Sequence, residues 1–478
     1  HFYSDKIVKS CTDEIVKKYM NNKISRKKNV SNNVLETNLL VARYFYNTFS
    51  SIILKIETTN LLIKGKKKFY LQNIDSHILE YLEKFYKNKF INVDFWNLKI
   101  LILQTKLKII FLNFFRNFFC FFFKKKIQKK KNILVNTENV ISFNNELKNE
   151  FFFLDKNQSK IILRKENFFL SNSELKKNNC IILSLKDTLF LNANRSSLNQ
   201  IKNIHQIYSD KNFEGLSLKF LQINFLMIKY LPILEHYNVN FVINNSYSND
   251  ISLSFEFLKK ILKFQTITYQ YSFMRQTNPI MSSVSDYMLI FSFYFKKIFV
   301  NKYSNPKKLI YSGYLYSSYI KILKKKVNYF KKKFNLKNKF VITYFDENFS
   351  KSMWSLSSKK EMIKEYETLS NFVLDNKDIV IIIKTQFYKN LPRFFHKNET
   401  IKKAMKTKRL VELVDDYLNI YLKNKVSLYM KRNNILPMMG SLISDISISK
   451  KYGATTSIET AILNKRNIMI NEKGFKEP

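Results

Sequence analysis

The chain has 478 residues, more than a single hydrophobic core usually supports, so its length predicts two or three domains. Hydrophobic residues make up 45% of the sequence and charged residues 25%, a balance that excludes a wholly disordered protein. The 82 lysines and arginines outnumber the 37 aspartates and glutamates, which gives a formal net charge of +45. A charge of this size points first to a polyanionic partner such as a nucleic acid.

The rest of the composition weakens that interpretation. The chain contains 6 glycines and 6 prolines, whereas average usage would give about 33 and about 24. Phenylalanine (44) and tyrosine (28) are abundant instead. Residues with A/T-rich codons are enriched and those with G/C-rich codons are depleted, so much of the charge reflects genome composition. An RNA-binding protein, for example an organellar ribosomal protein, stays open as an alternative, although the lysines are dense only at 124–131 and 324–333.

Several kinds of site are disfavoured by the motifs that the sequence lacks. Cys11, Cys120 and Cys180 are far apart and form no metal-binding spacing, so we expect no metal site, no disulfide and a reducing compartment. The sequence contains no GxGxxG, GxxxxGK[ST], HExxH or GxSxG motif, so we expect no cofactor. No signal peptide is readable. These observations together predict a cytoplasmic protein.

Residues 1–130 are predicted to form a mostly helical N-terminal region. Two sets of apolar residues there have the spacing of one helical face: Val41, Tyr44, Phe45 and Phe49, and Ile78, Tyr81, Leu82 and Phe85. The most apolar stretch is 98–123, but Lys99, Lys106, Lys108 and Arg116 interrupt it, which argues against a membrane-spanning helix. Two alternatives stay open for this segment: an interfacial helix that meets an anionic membrane surface with its basic flank, or a buried core helix rich in phenylalanine.

From residue 131 onward the pattern changes to short apolar runs separated by amphipathic segments. The runs are NILVN (132–136), CIILSL (180–185), VNFVINN (239–245), FQTITYQYS (264–272), YMLIF (287–291), KLIYSG (308–313), FVITYF (340–345), IVIIIK (379–384), DISIS (445–449) and NIMIN (467–471). Alternation of strands and helices at this spacing predicts parallel sheets covered by helices. We expect an α/β fold with two such domains, 131–315 and 316–478, joined by a basic helical connection.

Three places before the C-terminal region carry residues that suit a ligand site. Gln270 and Ser272 follow a predicted strand, and Lys384 ends another, which is where open α/β sheets bind ligands. Gly313 is one of few glycines and is expected to hold a backbone position that needs positive φ or close approach. Each also has an ordinary interpretation, as a strand end or one exposed lysine among many.

The segment 442–471 is the most informative. A strand leads to Gly453, then to Thr455, Thr456 and Ser457, and then to a helix predicted from about Ile458. The amino end of a helix offers free N–H groups and a positive dipole end, a ready anion site. Glu459, in its predicted first turn, suits a ribose, since a carboxylate accepts two hydroxyl hydrogen bonds. Thr456 and Glu459 also fit a capping box, which needs no ligand.

Taken in order, these segments resemble the surface-carbohydrate, capsular polysaccharide type of glycosyltransferase with GT-B architecture. The resemblance covers about 230–471 and is carried by YQYSF, SDYMLIF, LIYSGY, IVIIIK and SDISISKKYGATTSIETAILNKRNIMI. It implies two Rossmann-like domains facing a cleft, with Gln270, Ser272 and Gly313 near it and a helical N-terminal extension.

The same resemblance implies roles for individual residues in binding the donor. It places Glu459 near the donor ribose, Gly453 and Thr455 to Ser457 near the donor phosphates, and Lys384 in contact with a phosphate. Tyr271 stands where related enzymes often have a histidine, so no histidine base is evident. Asp250 and Glu235 are the weak candidates for the base. The family usually has further helices after NIMIN, so the donor domain is expected to be truncated.

The resemblance predicts transfer of a sugar from a nucleotide-activated donor to a surface polysaccharide or a lipid-linked acceptor. The donor would bind mainly on the C-terminal domain, and the acceptor on the N-terminal one. The expected location is the cytoplasm, at the inner face of the cell membrane, and nucleic acid is not an expected partner. A non-catalytic GT-B relative that binds a nucleotide sugar stays open beside the RNA-binding alternative.

Overall fold

The structure is a computed structural model that describes the following residues: 2–26, 34–62, 69–72, 78, 80–82, 90–93, 96–122, 133–136, 158–163, 176, 179–183, 191–208, 213–244, 250–270, 279, 282–346, 359–385, 398–413, 437–450 and 454–470. These residues form two compact units. The described residues of the first lie between 1 and 312, and those of the second begin at Gly313. Residues 1–130, which the sequence sets apart as a region, fall within the first unit.

Two long helices begin the first unit: α1 (Phe2–Arg26) and α2 (Val34–Leu62). Val41, Phe45 and Phe49 are fully buried, and Tyr44 is half-buried and packs against the same core, so the helical face predicted for α2 is confirmed. Arg43, next to this face, donates hydrogen bonds to the carbonyl oxygens of Pro279 (3.0 Å) and Ser282 (2.5 Å). These contacts fasten α2 to the rest of the first unit.

The second predicted helical face lies at 78–85. Ile78, Tyr81 and Leu82 are buried, and Phe85 lies outside the described residues. A small parallel sheet flanks this segment, and it consists of β1 (Phe69–Gln72) and β2 (Phe90–Val93). The sequence did not predict these two strands.

The apolar segment 98–123 forms most of helix α3 (Trp96–Phe122). Unlike a core helix, it buries polar side chains and exposes apolar ones. Thr105 and Arg116 are buried, whereas many of its leucines and phenylalanines are exposed. The core-helix alternative therefore does not describe this segment. Among the described helices, none is long and apolar enough to cross a membrane.

A seven-stranded parallel sheet forms the centre of the first unit. Its strands are β3 (Ile133–Asn136), β4 (Lys160–Leu163), β5 (Cys180–Leu183), β6 (Phe241–Asn244), β7 (Gln265–Tyr269), β8 (Tyr287–Ile290) and β9 (Lys308–Tyr311). Their order is β5-β4-β3-β6-β7-β8-β9, and every pair is parallel. This is the doubly wound, Rossmann-like order, whose direction reverses between β3 and β6. The helices of this part are α4 (Arg195–Tyr208), α5 (Glu214–Tyr237), α6 (Asp250–Leu262) and α7 (Lys296–Phe299).

A buried ionic network lies at the amino ends of β7 and β8. Lys259 Nζ is 2.6 Å from Glu256 Oε2 and 3.6 Å from Asp286 Oδ2. The backbone N–H of Thr266 donates to Asp286 Oδ2 at 2.9 Å, and Lys307 Nζ lies 2.6 Å from Asp286 Oδ1. We call Glu256, Lys259, Thr266 and Asp286 the amino-edge network. Asp286, the aspartate of the SDYMLIF segment, therefore has a structural role at the amino edge of the sheet. Open α/β sheets bind ligands at the opposite, carboxyl edge.

The second unit is built on a five-stranded parallel sheet of the same kind. Its strands are β10 (Phe340–Phe345), β11 (Ile379–Lys384), β12 (Leu410–Glu412), β13 (Ile446–Lys450) and β14 (Arg466–Ile470). The order is β12-β11-β10-β13-β14, so the reversal lies between β10 and β13. The helices are α8 (Ile320–Lys333), α9 (Lys359–Asp375), α10 (Glu399–Lys406), α11 (Pro437–Ile443) and α12 (Ala454–Ile462).

The two sheets confirm the predicted α/β class with two Rossmann-like parallel sheets. All ten apolar runs singled out in the sequence form strands. Strands β4 and β12, of four and three residues, were missed. The strand β11 is buried along almost its whole length, as expected for a central strand covered on both faces.

Candidate functional site

Four charged side chains gather at the carboxyl edge of the five-stranded sheet. Asp346 follows β10, Lys384 ends β11, Glu412 ends β12, and Glu459 lies in the helix after β13. Asp346, Glu412 and Glu459 all act on the charge of Lys384. We call these four residues the charged cluster. The parallel register of the sheet brings them together, since the strands end side by side at one edge.

Lys384 is the only cation of the charged cluster, and it is 6% exposed. Its Nζ donates a hydrogen bond to the carbonyl oxygen of Thr385 at 2.7 Å. Burial lowers the pKa of Lys384 to about 8, although the charges of Glu412, Asp346 and Glu459 oppose this shift. A substantial fraction of this amine is therefore neutral at slightly alkaline pH, and an added anion would favour its protonated form.

Each carboxylate of the charged cluster accepts a hydrogen bond from a hydroxyl group. The pairs are Tyr366 Oη to Asp346 Oδ2 (2.7 Å), Thr385 Oγ1 to Glu412 Oε1 (2.5 Å) and Tyr314 Oη to Glu459 Oε1 (2.6 Å). Burial, together with the adjacent carboxylates, holds the pKa of both tyrosines well above the usual range. Both phenols therefore remain protonated and act as hydrogen-bond donors to these carboxylates.

Glu459 is 5% exposed, in the middle of α12. The helix begins at Ala454 and not near Ile458, so Glu459 lies beyond its first turn. Thr456 is already helical, and its carbonyl oxygen accepts a hydrogen bond from Thr460 Oγ1 at 2.8 Å. The capping-box alternative is therefore wrong, because Thr456 does not stand at the N-cap.

The other residues predicted near the donor phosphates lie at the amino end of α12. Ser457 Oγ lies 3.0 Å from Ser449 Oγ and donates to Asn467 Oδ1 at 2.8 Å. This hydroxyl joins α12 to β13 and β14. Thr455 and Thr456 are half-buried in the first turn, and Gly453 lies outside the described residues.

Two of the glycines occupy positions that a side chain would disturb. Gly313, which precedes Tyr314, has φ = +72°, as its scarcity in the sequence predicted. In α11, a Cβ on Gly440 would lie 2.8 Å from Thr343 Cγ2, so the helix backbone approaches β10 closely. Gly313 thus sets the backbone turn that precedes the tyrosine bound to Glu459.

Two further predicted residues belong to the end of β7. The side chain of Gln270 is fully buried, and its Oε1 accepts a hydrogen bond from the backbone N–H of Phe291 at 2.9 Å. Gln270 therefore links the carboxyl ends of β7 and β8. Ser272 lies outside the described residues.

The two candidate bases differ in where the first unit places them. Glu235, near the end of α5, accepts hydrogen bonds from the backbone N–H of Asn194 (2.8 Å) and from Ser197 Oγ (2.7 Å). Because α5 leads into the amino end of β6, Glu235 lies at the edge opposite the ligand edge, and its position gives a base role no support. Asp250 begins α6 after the carboxyl end of β6, and it forms an ion pair with Lys219 at 2.6 Å.

Sequence reasoning missed four residues of this region: Asp346, Glu412, Tyr314 and Tyr366. Asp346 directly follows the predicted strand FVITYF, so its position was a usable signal. Glu412 belongs to a strand that was not recognised, and Tyr366 reaches the region from α9. In the part of the chain that the structure describes, no group of three or more His, Cys, Asp or Glu side chains is arranged to hold a metal ion.

Comparison with known proteins gives only distant structural similarity. No family model and no curated protein matches the chain. A glycosyltransferase from Rickettsia africae is 15% identical, with 72% of this chain and 85% of that one covered, at a TM-score of 0.37. UDP-N-acetylglucosamine 2-epimerase from Rickettsia bellii is 12% identical (72% and 78% covered, TM-score 0.40). UDP-GlcNAc 2-epimerase from Neisseria meningitidis bound to UDP-GlcNAc is 12% identical (67% and 77% covered, TM-score 0.37).

Proposed function

We propose that the protein is a glycosyltransferase that moves a sugar from a nucleotide-activated donor to a surface polysaccharide or a lipid-linked acceptor. The observation that carries the proposal is the charged cluster at the reversal point of the five-stranded sheet. Open α/β sheets bind ligands in the crevice outside the carboxyl ends of their strands, at such a point. We place the activity in the cytoplasm, at the inner face of the cell membrane.

In this proposal the donor phosphates interact with Lys384 and with the amino end of α12. A lysine acts on a phosphate as a point charge, and helix N–H groups add further donors. The three carboxylates near Lys384 would repel a diphosphate, but each already accepts a hydroxyl hydrogen bond that disperses its charge. The amine would stabilise the leaving nucleotide as negative charge develops on it.

Glu459 has the role of binding ribose in this proposal. Its Oε1 already accepts a hydrogen bond from Tyr314, and an ionised carboxylate has about four acceptor positions in all. A ribose hydroxyl would therefore add to the Tyr314 hydrogen bond or replace it. Asp250 stays the candidate for the base that deprotonates the acceptor, since it follows the carboxyl end of β6.

The test is turnover of sugar nucleotides by the purified full chain. UDP-, GDP- and CMP-activated sugars are offered with a lipid-phosphate acceptor, and release of the nucleotide is measured together with the sugar product. We expect Glu459→Gln to lower turnover at least about tenfold, because the substitution removes a charge-assisted hydrogen bond. Wild-type rates in Glu459→Gln would contradict the assigned role.

Glu365→Gln is the matched control. It removes the carboxylate that accepts a hydrogen bond from Tyr344 at 2.6 Å, in the same unit but outside the charged cluster. We expect this variant to turn over at the wild-type rate. Donor binding without any turnover by the wild type would instead favour a non-catalytic relative.

The pH dependence of donor affinity gives a second test. Protonated Lys384 attracts phosphate, so affinity measured by calorimetry should fall as the pH rises past about 8, the pKa of this amine. Lys384→Met should bind more weakly at pH 7 and lose this pH dependence. An unchanged profile in the variant would remove Lys384 from the phosphate site.

A further inference from the structure

Helix α3 presents an apolar face to solvent. Nine of its large apolar residues are 42–63% exposed: Ile100, Leu101, Leu103, Leu107, Ile110, Phe111, Phe114, Phe115 and Phe118. At about 100° per residue, all of them except Leu101 fall within an arc of about 140°. We call these nine residues the α3 face.

The opposite side of α3 fastens the helix to the first unit. Thr105 and Arg116 are buried, and Ile109 and Leu112 pack against its hydrophobic core. The exposure of the α3 face is therefore a consequence of how the helix is attached, since the two sides cannot both point inward. An exposed apolar surface of this extent usually marks an interaction site.

Charge decides which partner suits the α3 face. Lys99, Lys106 and Lys108 are exposed and fall on both borders of the apolar arc. No aspartate or glutamate occurs in 96–131, and six further lysines lie in 124–131, outside the described residues. A second copy of the same helix would bring lysines against lysines, whereas anionic headgroups would neutralise them.

We propose that the α3 face binds the surface of an anionic phospholipid bilayer. The phenylalanines and leucines enter the boundary between headgroups and acyl chains, with the helix axis parallel to the membrane plane. The bordering lysines extend to the lipid phosphates, where each basic residue near the surface adds attraction. The inference extends the proposed function by naming the surface and the lipid charge, and it does not depend on turnover.

The experiment measures binding of the full chain to sedimented vesicles without any sugar nucleotide. Vesicles of phosphatidylcholine with phosphatidylglycerol are compared with vesicles of phosphatidylcholine alone. We expect the anionic vesicles to bind at least about tenfold more tightly, and salt to weaken this binding. Failure of the wild type to bind anionic vesicles would overturn the inference, whatever the outcome of the turnover assay.

Two variants separate the apolar contribution from the charge. Replacement of Ile110, Phe111 and Phe114 by serine should lower vesicle affinity at least about tenfold, since these side chains would enter the bilayer. The control replaces Phe293, Tyr294 and Phe372, exposed at 66%, 88% and 43%, by serine and should bind as the wild type does. If the α3 variant and this control bound vesicles equally well, the role of the α3 face would be overturned.

The second variant replaces Lys99, Lys106 and Lys108 by glutamine. It should lose most of the preference for anionic vesicles, whereas the control at Lys331, Lys332 and Lys333 of α8 should keep it. Light scattering tests for a second copy as the occupant. If the wild type formed a stable dimer and the serine variant of the α3 face were a monomer, the membrane proposal would be overturned.

A fluorescence measurement tests the geometry directly. Trp96 and Trp354 are the two tryptophans, so Trp96→Phe and Trp354→Phe combined with Phe114→Trp leave a single reporter within the α3 face. Anionic vesicles should shift its emission to shorter wavelength, and brominated lipids should quench it. Unchanged emission with bound vesicles would mean that another surface makes the contact.

Discussion

Each of the two sheets has a buried lysine at one edge, and the two lysines are held in opposite ways. Lys259, in the first unit, lies 2.6 Å from Glu256 and 3.6 Å from Asp286. Burial opposes its charge, but the two carboxylates outweigh burial and raise the pKa of Lys259. Lys384, in the second unit, has a pKa lowered to about 8, because burial outweighs the neighbouring carboxylates.

The contrast distinguishes a lysine whose charge stabilises the fold from one whose charge can bind a ligand. Lys259 forms a direct ion pair with Glu256 at 2.6 Å, and the two carboxylates beside it share one hydroxyl donor, Thr266 Oγ1, at 3.1 and 3.2 Å. The carboxylates around Lys384 have hydroxyl partners in Tyr314, Thr385 and Tyr366. The protein therefore depends less on the charge of Lys384 for stability, so this charge is better suited to bind an anionic ligand.

The largest expected effect is at Lys259. Lys259→Met leaves Glu256 buried without its cation beside Asp286, which keeps its ion pair with Lys307 at 2.6 Å. The loss should cost about 3–5 kcal/mol of unfolding free energy. Chemical denaturation gives the magnitude, and hydrogen exchange of β7 and β8 gives its location. Lys308→Met, at an exposed lysine of the same sheet, is the control. If both variants were equally stable, the network would not be structural.

A smaller effect is expected at Tyr314. Tyr314→Phe removes the donor to the buried Glu459 carboxylate, which should cost about 1–3 kcal/mol. Tyr329→Phe changes an exposed ring in the same unit and should leave stability unchanged. The prediction fails if thermal unfolding does not distinguish the two variants.

Lys384→Met should cost less than Lys259→Met, about 1 kcal/mol at pH 7, because each carboxylate keeps its hydroxyl donor. The folded-state pKa near 8 lies below the unfolded value of 10.5. The penalty for burying the protonated amine is therefore full below pH 8 and is relieved as the pH rises to 10.5. Relative to the variant, the wild type should gain up to about 1.4 kcal/mol per pH unit in this window. A difference between wild type and variant that stays constant from pH 7 to 10 would contradict the pKa of Lys384.

The smallest effect on stability is expected for exposed lysines that lie away from both Lys259 and Lys384. Replacement of Lys331, Lys332 and Lys333 by glutamine should change stability by less than about 0.5 kcal/mol. Nucleotide-sugar turnover should also stay at the wild-type rate. A strong loss of activity would show that lysines far from the charged cluster contribute to turnover, against the view that most of the net charge reflects genome composition.

The sequence predicted ten of the twelve strands of the two large sheets. Runs such as FVITYF and IVIIIK are typical of buried parallel strands, and both form central strands. Strand β12 has only three residues, but length does not explain why β4 was missed, since β3 and β5 also have four residues and were recognised. The start of α12 was placed four residues late, because the threonines and Ser457 suggested a loop although they are helical.

The candidate site was only partly readable, for a physical reason. Lys384 and Glu459 stand at strand and helix positions that sequence patterns locate. Asp346 and Tyr366 meet through a hydrogen bond between residues 20 apart, and Tyr314 and Glu459 through one between residues 145 apart. Contacts of this kind depend on how helices lie on the sheet, which no local pattern encodes.

The sequence alone was enough to predict the α/β class, the two large parallel sheets, the special backbone position of Gly313 and the unusual apolar character of α3. Periodicity and residue chemistry are local properties, so a linear pattern carries them. The fold was needed to show that the α3 face points outward and that Glu235 lies at the amino edge of its sheet. It was also needed to show that carboxylates outweigh burial at Lys259 but not at Lys384. Burial and the distance between charges set these outcomes, and both arise from residues brought together by the fold.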